Sequence, residues 1–241
     1  MVITVKHDHM NFPKLALLLA LSLFATALSA QRMQLVMDYE TTKKGKPDPG
    51  ESGTIEFATD GNVFGMAMNL DKGAPVQIIM DTDARKITTV TEDKSGKSAT
   101  VLPMMKFGQK ELKAFTGEVE RTDETKTILG YEARKFIMRD GGTVTEAWIA
   151  NVPGFSWADF AGAASGRGRA SMMAAMPELD GYPNAVALES TTTKKGGKEV
   201  MKTTVTSVAT GADADLSALS IPDDAVVNDM SAMLKGFGGG R

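Results

Sequence analysis

The sequence predicts a mainly β domain of the α+β class, and three observations carry that prediction. Short runs of apolar alternation recur between Gln34 and Val208, each bounded by Gly, Pro, Asn, Asp or Ser. One block, Phe155 to Met176, interrupts them with a composition rich in Ala, Gly, Met and Phe. The chain has no cysteine, so its core is held by packing and not by disulfides. Short strands joined by tight turns imply an antiparallel meander.

The first segment, Met1 to Ala30, is set apart from that pattern. Lys6 and Lys14 precede an apolar run from Leu15 to Leu28, and Ala25, Ala27, Ser29 and Ala30 follow with small side chains. This is the layout of a cleavable signal peptide. The run is shorter than the roughly 20 residues that span a bilayer, and Arg32 stands alone after it. Cleavage after Ala30 is expected, because strand-like alternation begins directly beyond it. Cutting after Ala27 and translation from Met10 are the alternatives. The expected division is therefore 1–30 as signal peptide, 31–228 as one domain and 229–241 as a Gly-rich, frayed tail. The mature chain is expected to be periplasmic or secreted, with no transmembrane segment.

Within the domain, Leu35, Met37 and Tyr39 alternate with Gln34, Val36 and Asp38. Gly45, Pro47, Pro49 and Gly50 then mark a loop from Lys43 to Gly53. Thr54 to Ala58 and Val63 to Asn69 flank Asp60-Gly61-Asn62, a hairpin signal. Val76 to Met80 pairs with Lys86 to Thr91 across Asp81 to Arg85, and Ala99 to Met104 follows the turn at Lys94 to Lys97. Met104 to Phe115 is ambiguous and includes a short helix in one reading. Strands resume at Thr127 to Leu129, Ala133 to Arg139 and Thr143 to Ala150, the last two joined at Asp140-Gly141-Gly142. One or two helices are predicted over Phe155 to Met176, with a break at Ser165 to Gly168. A last hairpin joins Ala185 to Thr193 with Glu199 to Val208, and Leu219 to Asp224 reads as an extended edge segment.

Composition excludes several chemistries. Both histidines, His7 and His9, precede Ala30. The mature chain therefore lacks the imidazole and thiol needed for serine–histidine or cysteine–histidine catalysis and for the usual zinc sites. A formal net charge of −3 with scattered lysines gives no nucleic-acid footprint. Asp81-Thr82-Asp83 and Asp213-Ala214-Asp215 lack the glycine and closing glutamate of a calcium loop and read as turn chemistry. Ser165 to Arg169 lacks the Gly-Lys-Ser/Thr ending of a phosphate loop. No enzyme activity and no cofactor are expected.

Methionine is the unusual component, at 16 residues against 10 phenylalanines. Its flexible thioether fills core gaps, and it also suits surfaces that accept varied apolar shapes. The second role implies an apolar groove between sheet and helices, with Met68, Met80, Trp148, Phe155, Trp157, Phe160, Met172 and Met173 as ligand-binding candidates.

Thr127-Ile-Leu-Gly-Tyr-Glu-Ala-Arg-Lys-Phe136, followed by Gly141-Gly-Thr-Val-Thr-Glu-Ala-Trp-Ile-Ala150, resembles an uncharacterised bacterial envelope family, the domain of unknown function numbered 4412. Gly181-Tyr182-Pro183 and the Ile221-Pro222 ending agree with it, and Ala133 stands where relatives often carry cysteine. The arrangement is also similar to the periplasmic lipoprotein carriers and receptors. That resemblance implies a curved antiparallel sheet or incomplete β-barrel with helices packed on its concave side. The expected function is then a non-enzymatic binding protein holding a lipid, acyl group or lipidated partner in an apolar cavity. An envelope protein-interaction or stress-related module without a small-molecule ligand is the alternative.

Overall fold

The structure is a computed structural model that describes residues 32–103, 117–153 and 179–230. Along the chain come Arg32–Lys43 (β1), Lys46–Pro47 (β2), Gly53–Asp60 (β3), Val63–Leu70 (β4), Val76–Asp81 (β5), Lys86–Asp93 (β6) and Gly96–Pro103 (β7). Then follow Glu118–Ile128 (β8), Tyr131–Asp140 (β9), Thr143–Asn151 (β10), Ala185–Lys194 (β11), Glu199–Thr210 (β12) and Val226–Asp229 (β13). All belong to one sheet of 13 strands in the order β13-β7-β6-β5-β4-β3-β1-β12-β11-β10-β9-β8, with β2 paired to β1. The sheet is open and curved, with β13 and β8 as its two edges. β1 is the seam, because the meander β3 to β7 hangs from one side of it and the meander β12 to β8 from the other.

The alternation read from the sequence sets the register. Met33, Leu35, Tyr39 and Thr41 of β1 are buried, while Arg32, Asp38 and Glu40 are exposed. Asp60 pairs with Val63 across Gly61-Asn62, and Asp140 pairs with Thr143 across Gly141-Gly142, so both are two-residue hairpins. Gly61 supplies positive φ, 60°, at the first central position of its turn, and Gly141 and Gly142 supply it at both, 52° and 82°. Turns of this kind match the right-handed twist of the strands they join.

Four features depart from expectation. Among the described residues the only helices are short 3-10 turns, such as Ser217–Leu219, so helices packed on the sheet are not supported there. The helical predictions over Phe155 to Met176 and Met104 to Phe115 lie outside the described residues. The sheet is not purely antiparallel, because β13 runs parallel to β7. The expected extended edge over Leu219 to Asp224 is instead a series of turns, and the edge strand begins at Val226. Finally, β8 starts at Glu118, well before Thr127. Its sequence, Glu-Val-Glu-Arg-Thr-Asp-Glu, has no apolar alternation because an edge strand need not bury a face.

Two apolar clusters form the core. The larger joins Met33, Leu35 and Tyr39 of β1 with Ile55 and Phe57 of β3, Ala133, Ala150 and Val152, and Val186, Leu188 and Val205. The smaller contains Phe136 and Met138 of β9 with Ala147 and Ile149 of β10, against which Leu179 and Tyr182 pack. The register shifts leave Thr206 of β12 as an extra residue opposite Val36–Met37, and Leu188 of β11 as one opposite Trp148–Ile149. Bulges bend and twist the bulged strand, here β12 at the seam and its neighbour β11.

Candidate functional site

Strand pairing assigns every side chain of the β3 to β7 meander to one of two faces. One face carries three cross-strand rows. Met37, Ile55, Met68 and Val76 stand opposite one another on β1, β3, β4 and β5. Leu35, Phe57, Met66 and Ile78 form the next row, and Met33, Thr59, Phe64 and Met80 the third. Met80 is 6% exposed, whereas Phe64, Met66, Met68, Val76 and Ile78 are only partly buried. This apolar surface is termed the methionine face.

The opposite face of the same strands is closed by the chain itself. After β12, residues 211–225 return across it as a strap before β13 docks on β7. The Gln77 side-chain amide donates to the carbonyls of Ala218 at 3.0 Å and Ser220 at 2.9 Å. Gly65 lets the strap approach closely, since a Cβ there would lie 2.2 Å from the Ala218 carbonyl oxygen. Under the strap, Ile79, Val90, Ala99 and Val101 are buried, and Ala218 is 3% exposed. Lys97 pairs with Asp224 at 3.0 Å, and Lys86 with Asp229 at 3.5 Å, fixing the end of the strap and β13.

Among the sequence candidates, Met68 and Met80 belong to the methionine face. Trp148 is partly buried and packs against the same core cluster as Met66 and Met68. The Lys126 ammonium covers the Trp148 ring at 4.4 Å from its centroid and is held by the Glu189 carboxylate at 2.5 Å. Lys135, opposite Trp148 on β9, bridges Glu146 at 3.0 Å and Glu124 at 3.5 Å. Hydrogen bonding to Glu146 raises the Lys135 pKa above its ordinary value. Phe155, Trp157, Phe160, Met172 and Met173 lie outside the described residues.

A further cross-strand row leads from β4 to the smaller core cluster, a region the sequence does not single out. Leu70, Gly53, Tyr39, Thr203, Ser190, Ala147, Phe136 and Arg121 pair in succession across eight strands. In the middle of this row the Ser190 and Thr203 hydroxyls are hydrogen bonded at 2.7 Å. At its end Tyr182 meets Phe136 edge-on at 5.3 Å, and the Arg121 guanidinium lies 5.6 Å from the Tyr182 centroid. Arg134, two residues from Phe136 on β9, lies on the Phe136 side of that strand, opposite to its neighbour Ala133 of the larger core cluster. The signal is present in Arg134-Lys-Phe136-Ile-Met138, where a charged residue occupies a position in register with two apolar ones.

The acidic motifs are occupied by local hydrogen bonds. Asp81 accepts from the Ala84 amide at 2.7 Å, Asp83 from the Asn62 side chain at 3.1 Å, and Asp215 from the Ser217 amide at 2.9 Å. This is turn and cap chemistry. Among the described residues no group of three or more His, Cys, Asp or Glu side chains is placed to hold a metal. Among them also, no helix is long and apolar enough to cross a membrane.

No family model and no curated protein matches the chain, so the resemblance to family 4412 stays unconfirmed. Solved structures do match. An uncharacterized conserved protein from Thermus thermophilus is 11% identical, over 89% of this chain and 99% of that one, with a TM-score of 0.44. The Pseudomonas aeruginosa MucA/MucB complex matches at 13% identity, over 85% of this chain and 60% of that one, with a TM-score of 0.41. Mycobacterium tuberculosis lipoprotein LppX matches at 12% identity, over 86% of this chain and 100% of that one, with a TM-score of 0.38. The chain spans only 32% of the length of the PNGF-II structures it also matches. With TM-scores below 0.5, these likenesses assign the chain no function.

Proposed function

We propose that this chain is an exported, non-enzymatic binding protein that holds an acyl chain against the methionine face. One observation carries the reading. Phe64, Met66, Met68 and Leu70 of β4 and Val76 and Ile78 of β5 are partly exposed on one face, while the strap closes the other. Apolar surface left in water forgoes about 25 cal/mol per Å² of burial. Flexible thioethers adapt to acyl chains of varied length and shape. Met68 and Met80 belong to the proposed contact set, with Phe155, Trp157, Phe160, Met172 and Met173 contributed by the segment between Pro153 and Leu179. Trp148, which packs against the same core cluster as Met68, belongs to the proposed set as well.

The test is native mass spectrometry with organic extraction on protein purified from the producing cell's envelope. A reproducible lipid adduct is expected, lost in a Met68→Lys variant whose circular dichroism matches the parent. A clean apo mass, with no uptake of added phospholipid, sinks the acyl reading.

One observation favours a second reading, protein interaction through the sheet edge. Val226 and Val227 of the edge strand β13 are 66% and 53% exposed. Exposed apolar edge strands are templates for strand addition. Replacing both valines with lysine abolishes partner capture under this reading and leaves lipid uptake untouched under the first.

A further inference from the structure

Going beyond the acyl reading, we propose that the β8–β9 hairpin tip, Ile128 to Tyr131, is where this chain touches a lipid surface, with Leu129 as the inserting side chain. Ile128 pairs with Tyr131, so Leu129 and Gly130 are the two central residues of a tight hairpin turn. Their φ angles are 51° and 83°, positive at both positions. Asn-Gly, Asp-Gly or Gly-Gly meets that turn with least strain, because the left-handed region brings a Cβ too close to the following carbonyl oxygen. Leu129 nevertheless stands there with 46% of its surface exposed. Among the described residues three non-glycines have positive φ, and the other two, Lys44 and Arg85, are charged. Lys44-Gly45 makes the same two-residue turn between Lys43 and Lys46, so a polar side chain is compatible with this geometry.

A lone exposed leucine is ordinary on a protein surface. This one is disfavoured twice, by its backbone and by water, and it belongs to neither core cluster. Backbone strain of this kind persists where a function holds it in place.

The surroundings of the tip select a lipid surface. Ile128 and Tyr131, on either side of it, pack against the larger core cluster, which Trp148, Met66 and Met68 also adjoin. The tip is thereby continuous with the apolar contact set of the proposed ligand. Tyrosine and tryptophan suit the membrane–water boundary, where an apolar ring and a polar end are both accommodated. Nearby charge does not recruit an anionic surface. The Lys126 ammonium is held by the Glu189 carboxylate over the Trp148 ring, and the exposed Glu132 stands opposite Thr127. The contact is therefore apolar, shallow and reversible, and it suits a zwitterionic bilayer as readily as an anionic one.

The chain has no cysteine, so one introduced thiol carries a single label. Thr127→Cys, exposed beside the tip, is labelled with an environment-sensitive fluorophore on the full mature chain, and phosphatidylcholine vesicles are added. A blue shift is expected, unchanged in high salt and no larger when phosphatidylglycerol is included. Leu129→Asn abolishes the shift, while its melting temperature equals or exceeds the parent's because asparagine suits the left-handed position better. Loss of contact together with a gain of stability is a pair that misfolding cannot produce. The same label on Lys44→Cys reports no shift. The assignment is overturned by no shift at all, by one that survives Leu129→Asn or appears equally at Lys44, or by one that needs anionic lipid at low salt. A shift confined to envelope vesicles and abolished by protease treatment makes the tip a protein-docking site and also overturns it. The acyl reading is decided separately, by the lipid adduct. A shift without an adduct removes that reading and leaves the tip, and an adduct without a shift does the reverse.

Discussion

The two meanders that meet on β1 have the same topology and opposite chemistry. In β3 to β5 the methionine face is apolar, and the opposite face buries Ile79 and Ala58. The chain closes the second with its own strap, held by Gln77 and admitted by Gly65, and leaves the first partly open. In β8 to β10 one face is a charge lattice, Lys126 with Glu189 and Lys135 with Glu124 and Glu146, around Trp148. The other face carries the small Phe136 cluster and the two arginines. The contrast follows from what each meander has to cover it. A sheet with a strap can keep an apolar second face only if something else occupies that face, whereas an edge-terminated meander protects itself with charge.

The sharpest way to break this comparison is to truncate one side chain on each side of the buried–open divide. Leu188 is 0% exposed in the larger core cluster, so Leu188→Ala is expected to cost about 2–5 kcal/mol of unfolding free energy. Met68 keeps part of its surface accessible, and Met68→Ala is expected to cost less than about 2 kcal/mol in the ligand-free protein. Urea melts of the delipidated protein compare them directly. Equal costs make Met68 an ordinary core residue and the methionine face part of the core.

The next effect tests the strap. A Cβ at Gly65 meets the Ala218 carbonyl oxygen and, at 2.7 Å, the Leu219 Cδ2. The first contact is backbone, so the strap itself has to move. Gly65→Ala is expected to cost about 1–3 kcal/mol, the range for overpacking, and to speed amide exchange in residues 212–222 more than in β9 or β10. Uniform acceleration across the sheet instead denies the strap an independent role.

How far the sequence carries this picture depends on the strand. Where one face is buried, as in β1, alternation gives the strand and its inward residues directly, and Gly61-Asn62 and Gly141-Gly142 give the turns. Most of β8 is invisible because an exposed charged edge has no hydrophobic period. The strap reads as an extended segment because Ile221-Pro222 resembles a strand end, while the deciding feature is Gly65, more than 150 residues earlier. Of the candidate site, Met68 and Met80 are legible as inward residues. Trp148 stands two residues before the buried Ala150 in the same alternation and packs against the larger core cluster. Arg121 and Arg134 come together only through the β8–β9 register.

The smallest expected effect lies on the seam itself. Tyr39 is 3% exposed, and burial first, then the nearby charges of Asp71 and Glu51, raise its hydroxyl pKa above 10.0. The folded state therefore holds the phenolic proton at pH values where the unfolded chain has begun to release it. That contribution is fully present below about pH 10, the unfolded value, and is lost as pH rises through the higher folded value. Tyr39→Phe removes the titration without removing the ring. Its stability is expected to match the parent near neutral pH and to exceed it at alkaline pH, the gap opening only above the ordinary tyrosine range. Tyr131 and Tyr182 are common to both proteins and cancel in the comparison. Thermal melts of the pair across that range measure the gap. Parallel curves mean that the hydroxyl reaches water freely, and the packing of β1 between the two meanders is then looser than its burial indicates.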